Sequence, residues 1–145
     1  MRNANESKTE KIIVFGTFDG LHDGHRFFLR EAKKSGDKLV VAVAKDTVIK
    51  CLKGHLPTIP LPNRIMNIKS ENLADKVVPG DEKLGVWKIL KKEKPDIICI
   101  GYDQTNLKKA LEKEIKNLDW PIKIEIIGDY KGSQLHSSIL KPKNQ

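Results

Sequence analysis

Aromatic side chains are scarce in this chain, at 6% of its 145 residues. The lysines are not interleaved with them, which argues against the pairing of cationic groove and stacking rings used by single-strand nucleic-acid binders. No DNA- or RNA-binding motif is present. No apolar run approaches the ~20 residues needed to cross a bilayer, so no membrane partner is expected. Cysteine is limited to Cys51 and Cys99; they lack metal-ligand spacing and fit a reducing, cytoplasmic setting in which both stay thiols. Cys99 lies within an apolar run and reads as core. Internal repeats and low-complexity segments are absent. So are a G-x-x-x-x-G-K-[ST] loop after a strand and the glycine spacing of the dinucleotide fingerprint. Carboxylate pairs and nucleophilic triads are also missing, which turns attention away from hydrolytic chemistry.

Positive charge is what the chain has in excess. The formal net charge is +8. Many of the lysines, such as Lys108, Lys109, Lys113 and Lys116, fall on predicted helix faces and read as a solvated surface. The excess would still raise the local concentration of an anionic substrate. Residues 1–10 are polar, lack the apolar segment of a signal peptide and are expected to be a disordered leader. Residues 11–145 are expected to form one domain, since the length suits a single core.

Short apolar runs alternate with helical patterns along that domain. Strands are predicted at Ile12–Phe15, Lys38–Ala44, Lys76–Val78, Asp96–Ile100 and Ile122–Ile127. Helices are predicted from Asp23 onward, at Asn63–Leu73, Lys83–Lys92 and Asn106–Leu118. The proline-rich segment Lys45–Pro62 reads as a loop, with a helical turn or two over Asp46–Leu52. Asp129–Ser138 reads as a polar loop, and Ile139–Lys141 as the start of a last short helix. The alternation implies an α/β fold with a parallel sheet of five strands.

The most informative stretch is I-I-V-F-G-T-F-D-G-L-H-D-G-H-R-F-F-L, Ile12–Leu29. It reads as a buried strand, a glycine-bearing turn and a helix N-terminus that Asp23 can cap. Such a terminus offers backbone N–H groups and a partial positive charge to a phosphate. His22 and His25, three apart, can both face one ligand, and Gly24 lets backbone approach it. A metal pair, or two surface histidines, would account for the same spacing.

Gly16, Phe18, Asp19, His22, Gly24 and His25 fill the pattern G-x-F-D-x-x-H-x-G-H, and on them the chain resembles the H-x-G-H nucleotidyltransferase superfamily. Two further stretches extend the resemblance to about Ser138: Val43–Asp46 with Lys53-Gly54-x-x-Pro57-x-x-Pro60-x-x-x-Arg64, and Pro95–Gln104. Together the three are most similar to the archaeal-type FAD synthases, which transfer AMP from ATP to FMN. The glycerol-3-phosphate cytidylyltransferases, which use CTP, are near relatives; they usually carry G-D-D-W where this chain has Gly101-Tyr102-Asp103-Gln104. Pantetheine-phosphate adenylyl transfer is a third reaction in the set.

What the resemblance implies is a doubly wound, Rossmann-like fold of α/β class and direct in-line attack by a phosphate monoester on a nucleotide α-phosphate, without covalent help from the protein. His22, His25 and Lys53 would be the catalytic groups. Thr17, Phe18, Asp23, Gly24, Asp103 and Tyr130 would join the histidines around the nucleotide. Arg64, Ser137 and Ser138 would contact phosphate. Simpler roles stand beside these: a solvated loop cation for Lys53, an ion pair on a helix start for Arg64, a helix cap for Asp103, and a serine cap for Ser137 and Ser138. A divalent cation such as Mg²⁺ would be held mainly by the nucleotide phosphates rather than by protein ligands. A homodimer is the expected assembly.

Overall fold

In the computed structural model, which describes residues 9–130, the five apolar runs become β1 (Lys11–Gly16), β2 (Lys38–Val43), β3 (Lys76–Pro79), β4 (Ile97–Gly101) and β5 (Lys123–Ile127). All pairings are parallel, in the order β3-β2-β1-β4-β5. Helices α1 (Asp23–Lys33), α2 (Asp46–Lys53), α3 (Leu61–Ser70), α4 (Lys88–Glu93) and α5 (Thr105–Ile115) fill the connections. Residues 1–8 of the expected leader, Ser137, Ser138 and the helix start expected at Ile139–Lys141 lie outside the described residues. None of the described helices is long and apolar enough to cross a membrane.

The strands are continuous apolar runs because both faces of the sheet are covered. Side chains alternate between the faces. Ile12, Val14, Leu39 and Val41 pack with Leu29 of α1 and Ile68 of α3. Ile13, Val40 and Ile98 pack with Leu90 of α4 and Leu111 of α5 on the other face. Cys99 is fully buried in β4 and Cys51 is exposed on α2.

β1 and β2 stay in register over six residues, from Lys11–Lys38 to Gly16–Val43. β1 and β4 pair only at Ile12–Ile97 and Ile13–Ile98 and then part. From β1 the chain winds outward through β2 to β3, then returns past β1 to build β4 and β5. That reversal of strand order is where doubly wound folds open a crevice at the carboxyl ends of their strands.

Two elements differ from expectation. Asp46–Lys53 forms the two helical turns expected there, but α3 starts at Leu61, inside the segment read as a loop to Pro62. The helix expected over Lys83–Lys92 starts only at Lys88, because Gly85 (φ 81°) and Trp87 (φ 55°) take left-handed backbone that a right-handed helix cannot include. Asp81 reaches over this break, its Oδ1 accepting from the Ile89 amide at 3.0 Å.

Arg64 is a third correction. Expected as a phosphate clamp, it is fully buried. Its Nε donates to the Ile59 carbonyl at 2.8 Å, and its Nη1 to the carbonyls of Thr17 at 2.8 Å and Ala44 at 2.7 Å. Nη2 meets the carboxylate of Asp46. The fork therefore ties the ends of β1 and β2 to the starts of α2 and α3, and has no face turned to a ligand. The neutral substitution Arg64→Met leaves three carbonyls without this donor. It should cost about 3 kcal/mol or more, read as a melting temperature lowered by about 6–12 °C. Arg64→Lys should recover little, since an ammonium cannot reproduce the planar fork. Thermal and urea unfolding measure both.

Candidate active site

The site begins where β1 runs out. A Cβ on Gly16 would stand 2.6 Å from the Phe18 ring, so only glycine lets that ring fold back beneath the turn. Phe18 takes φ 50°, is 3% exposed, and presents its ring to His25 at 5.4 Å between centroids. Asp19 follows, and its carboxylate accepts from the amides of Thr58 and Ile59, both at 2.8 Å. Those two donors hold its pKa below the ordinary aspartate value. The turn and the loop ahead of α3 are thereby tied together.

His22, not Asp23, caps α1. Its Nδ1 accepts from the amides of Gly24 at 3.0 Å and His25 at 3.4 Å, while the His25 Nδ1 accepts from the His22 amide at 3.3 Å. An imidazole nitrogen here takes the part usually played by an Asp or Ser oxygen. Asp23 falls in the first turn instead, 3.3 Å from the Arg26 guanidinium. A Cβ on Gly24 would come within 2.9 Å of the His22 ring, so the cap itself demands glycine. The two rings stack at 3.8 Å with an interplanar angle of 25°.

Because each Nδ1 accepts a backbone proton, each neutral ring carries its own proton on Nε2. Burial, then the nearby charges of His22 and Arg26, depress the His25 pKa below 6.5; Asp103 and the Gly20 carbonyl, which favour the charged ring, pull the other way. His25 is therefore held neutral near pH 7. The amides of Gly24 and His25, expected to be open to an anion, are instead occupied by His22.

A cleft of about 920 Å³ opens over these residues. It lies at the upper end of the ~300–1,000 Å³ common for ligand sites, with room for more than one substrate. Thr17, Phe18, His22, Gly24, His25, Asp103 and Tyr130 line it, and Asp23 does not. Tyr130 packs against Phe27 at 5.4 Å. The Asp103 carboxylate folds over Gly101, where an added Cβ would be 3.0 Å from its Oδ1. It does not cap α5, whose N-cap is Gln104. Lys53 lies outside the lining, exposed at the end of α2.

Sequence reading missed three cleft residues. Gln104 accepts from the Gly101 amide at 2.8 Å and donates to the Phe15 carbonyl at 3.1 Å, bridging β1 and β4 where they part. Lys83 and Trp87 line the cleft from the loop before α4. Assignment of that loop to a helix hid them; the isolated Gly85 inside the helical pattern was the signal against it. Among the described residues no group of three His, Cys, Asp or Glu side chains is arranged to hold a metal ion.

A family model described as cytidylyltransferase-like matches residues 13–142. The chain belongs to the cytidylyltransferase-like family. It is 37% identical over 128 residues to a protein of Aciduliprofundum boonei named FAD synthase, covering 88% of this chain and 85% of that one. A FAD synthase of Thermoplasma volcanium is 35% identical over 133 residues, 92% of each chain. Among solved structures, one from Thermoplasma volcanium titled as a lipopolysaccharide core biosynthesis protein superposes with a TM-score of 0.77 at 35% identity, over 85% of this chain and 99% of that one. A pantoate-beta-alanine ligase from Francisella tularensis, at 17% identity and TM-score 0.61 over 88% of this chain and 62% of that one, shares the fold.

The His25 environment makes a pH prediction for this cytidylyltransferase-like domain. Its folded pKa is depressed below the 6.5 of the unfolded chain, so the unfolded state binds more protons in that window. Stability should fall as pH drops below about 6.5 and flatten beneath the folded pKa. Asp19, Asp75, Glu93 and Glu125 are depressed from the ordinary carboxylate values of 3.8 or 4.5 and lose their contributions only at lower pH. Urea unfolding between pH 7.5 and 5 should show the slope, and His25→Gln should reduce it.

Proposed function

We propose that this protein transfers AMP from ATP to FMN, releasing FAD and pyrophosphate. The observation that carries the reading is its 35–40% identity to relatives named FAD synthase, together with an H-x-G-H turn facing a cleft of two-substrate size. A phosphate monoester is already largely ionised near neutral pH. An FMN phosphate oxygen can therefore bond to the α-phosphorus while the bond to the bridging oxygen breaks and pyrophosphate leaves with the electron pair. No general base is needed.

What the protein must supply is alignment of two polyanions and stabilisation of developing charge. His22 and His25, protonated on Nε2 and fixed by their Nδ1 bonds, would donate toward the phosphates. The α1 N-terminus adds a partial positive charge at the same point. Gly24 allows close approach, Thr17 and Phe18 offer backbone beside the nucleotide, and Asp103 suits the ribose hydroxyls. Tyr130 walls the same side. Lys53 would serve as a phosphate cation only if α2 and its following loop bring it inward. A divalent cation, Mg²⁺ in our reading, fits a cleft with isolated carboxylates such as Asp103; held mainly by phosphate oxygens, it would supply charge neutralisation.

Pyrophosphate release with Mg²⁺ and a grid of ATP or CTP against FMN, glycerol 3-phosphate and phosphopantetheine tests the proposal. Release is expected with ATP and FMN, falling about 10²–10³-fold in His22→Ala, in line with removal of one transition-state donor. Release with CTP and glycerol 3-phosphate alone would overturn the substrates while leaving the mechanism.

A further inference from the structure

The residues so far placed around the nucleotide occupy one part of the cleft. The rest of its lining is of a different kind. Phe15 and Ala42 are register partners on β1 and β2, and Trp87 packs edge-on against Phe15 with centroids 5.9 Å apart and planes at 82°. Leu52 and Leu84 stand at its walls with 58% and 53% of their surface exposed, and Lys83 is the cation of the same segment. Large aliphatic side chains that exposed inside a cleft are surface waiting to be covered by a ligand. In a chain so poor in aromatics, a Phe–Trp pair at the end of two core strands is a concentration of stacking surface.

The backbone supports this reading. Trp87 adopts φ 55°, a conformation that a bulky residue takes only when its surroundings impose it. The result is that the indole flanks the cleft instead of continuing a helix. Ala42 is smaller than Val40, its neighbour on the same face of β2, which leaves depth beside Phe15.

We propose that this Phe15–Ala42–Leu84–Trp87 chamber takes the flat apolar ring system of the phosphorylated acceptor, with Trp87 as its stacking wall and specificity-determining residue. The assignment rests on the nucleotidyl-transfer reading and adds to it where the acceptor lies. Phe15 directly precedes Gly16 of the phosphate turn, so a ring seated here has its phosphate tail leading toward the histidines. A small phosphorylated polyol would leave Leu52, Leu84 and Trp87 wet, whereas the isoalloxazine of FMN would cover them. Lys83 offers a charge partner to an acceptor phosphate or ring oxygen at the rim.

Direct binding separates the placement from the reaction. FMN is titrated by its own fluorescence, which stacking on an indole quenches, against the full chain with Mg²⁺ and a non-cleavable ATP analogue; analogue binding is measured alongside by calorimetry. Trp87→Ala should weaken FMN at least about tenfold, the scale of one lost stacking contact. Binding of the ATP analogue should stay within about twofold. Trp87→Phe should recover most of the affinity. Leu84→Gln, at an exposed loop position that folding does not depend on, should weaken FMN in the same direction. Unchanged FMN affinity in both Trp87→Ala and Leu84→Gln would overturn the chamber while leaving adenylyl transfer to FMN intact. Failure of the unaltered protein to bind FMN while it binds the ATP analogue would instead overturn FMN as acceptor, and this placement with it.

Discussion

One buried cation holds the upper end of this molecule together. Parallel strands finish with carbonyls that no longer have a neighbouring amide, and the crevice of a doubly wound sheet opens at that end. Arg64 supplies donors to the carbonyls of Thr17, Ala44 and Ile59 at once, and meets Asp46 at the start of α2. Five donors in a rigid plane make arginine suited to such a junction. With the turn after β1 and the segment after β2 tied to a common point, Phe18 and the loop carrying Asp19 have little freedom. The histidines that follow inherit that order.

A second tie works across the opposite edge of the crevice. β1 and β4 cease to pair after Ile13 and Ile98, and the gap is where ligands can enter. Gln104 spans it, one amide group bonding to both strands. The side-chain amide thus extends the ladder without closing the space above it. Phe15 has its carbonyl held in this way while its ring remains available to Trp87. Rigidity of the scaffold and openness of the cleft are compatible because side chains, rather than further strand pairing, satisfy the backbone.

Much of this was legible in the residues. The β1 turn is a dense local pattern: a strand needs its apolar run, the cap needs a side-chain acceptor, and close ring packing needs Gly16 and Gly24. Each demand falls within a few positions, so sequence spacing conveys it. Arg64 was misread because its partners at 17, 44, 46 and 59 are brought together only by the fold, and an arginine near a helix start looks the same whether it faces a phosphate or three backbone carbonyls and a carboxylate. The segment Lys83–Lys92 was misread for another reason. Its apolar residues at 86, 87 and 90 do have helical spacing, but Gly85 and Trp87 take left-handed φ in the folded chain, where tertiary context overrides local propensity.

The histidine cap has a consequence for how an anion can be held. A bare helix N-terminus offers backbone amides, donors that never titrate. Here the Gly24 and His25 amides are directed to the His22 Nδ1, so the helix passes its donor capacity outward through an imidazole. Under the proposed function the proton turned toward a phosphate would be on Nε2, and its availability would depend on ring orientation and charge state. Burial, with His22 and Arg26 nearby, biases His25 toward the neutral form, in which the tautomer fixed by the cap still donates. A neutral donor binds ground-state phosphate less tightly than a cation would, while responding strongly as charge builds on the oxygen. Coupling the cap to the ligand-facing donors also means that a change in either histidine disturbs both the helix start and the site. Gly24 is bound to the same constraint, since the His22 ring stands where its side chain would be.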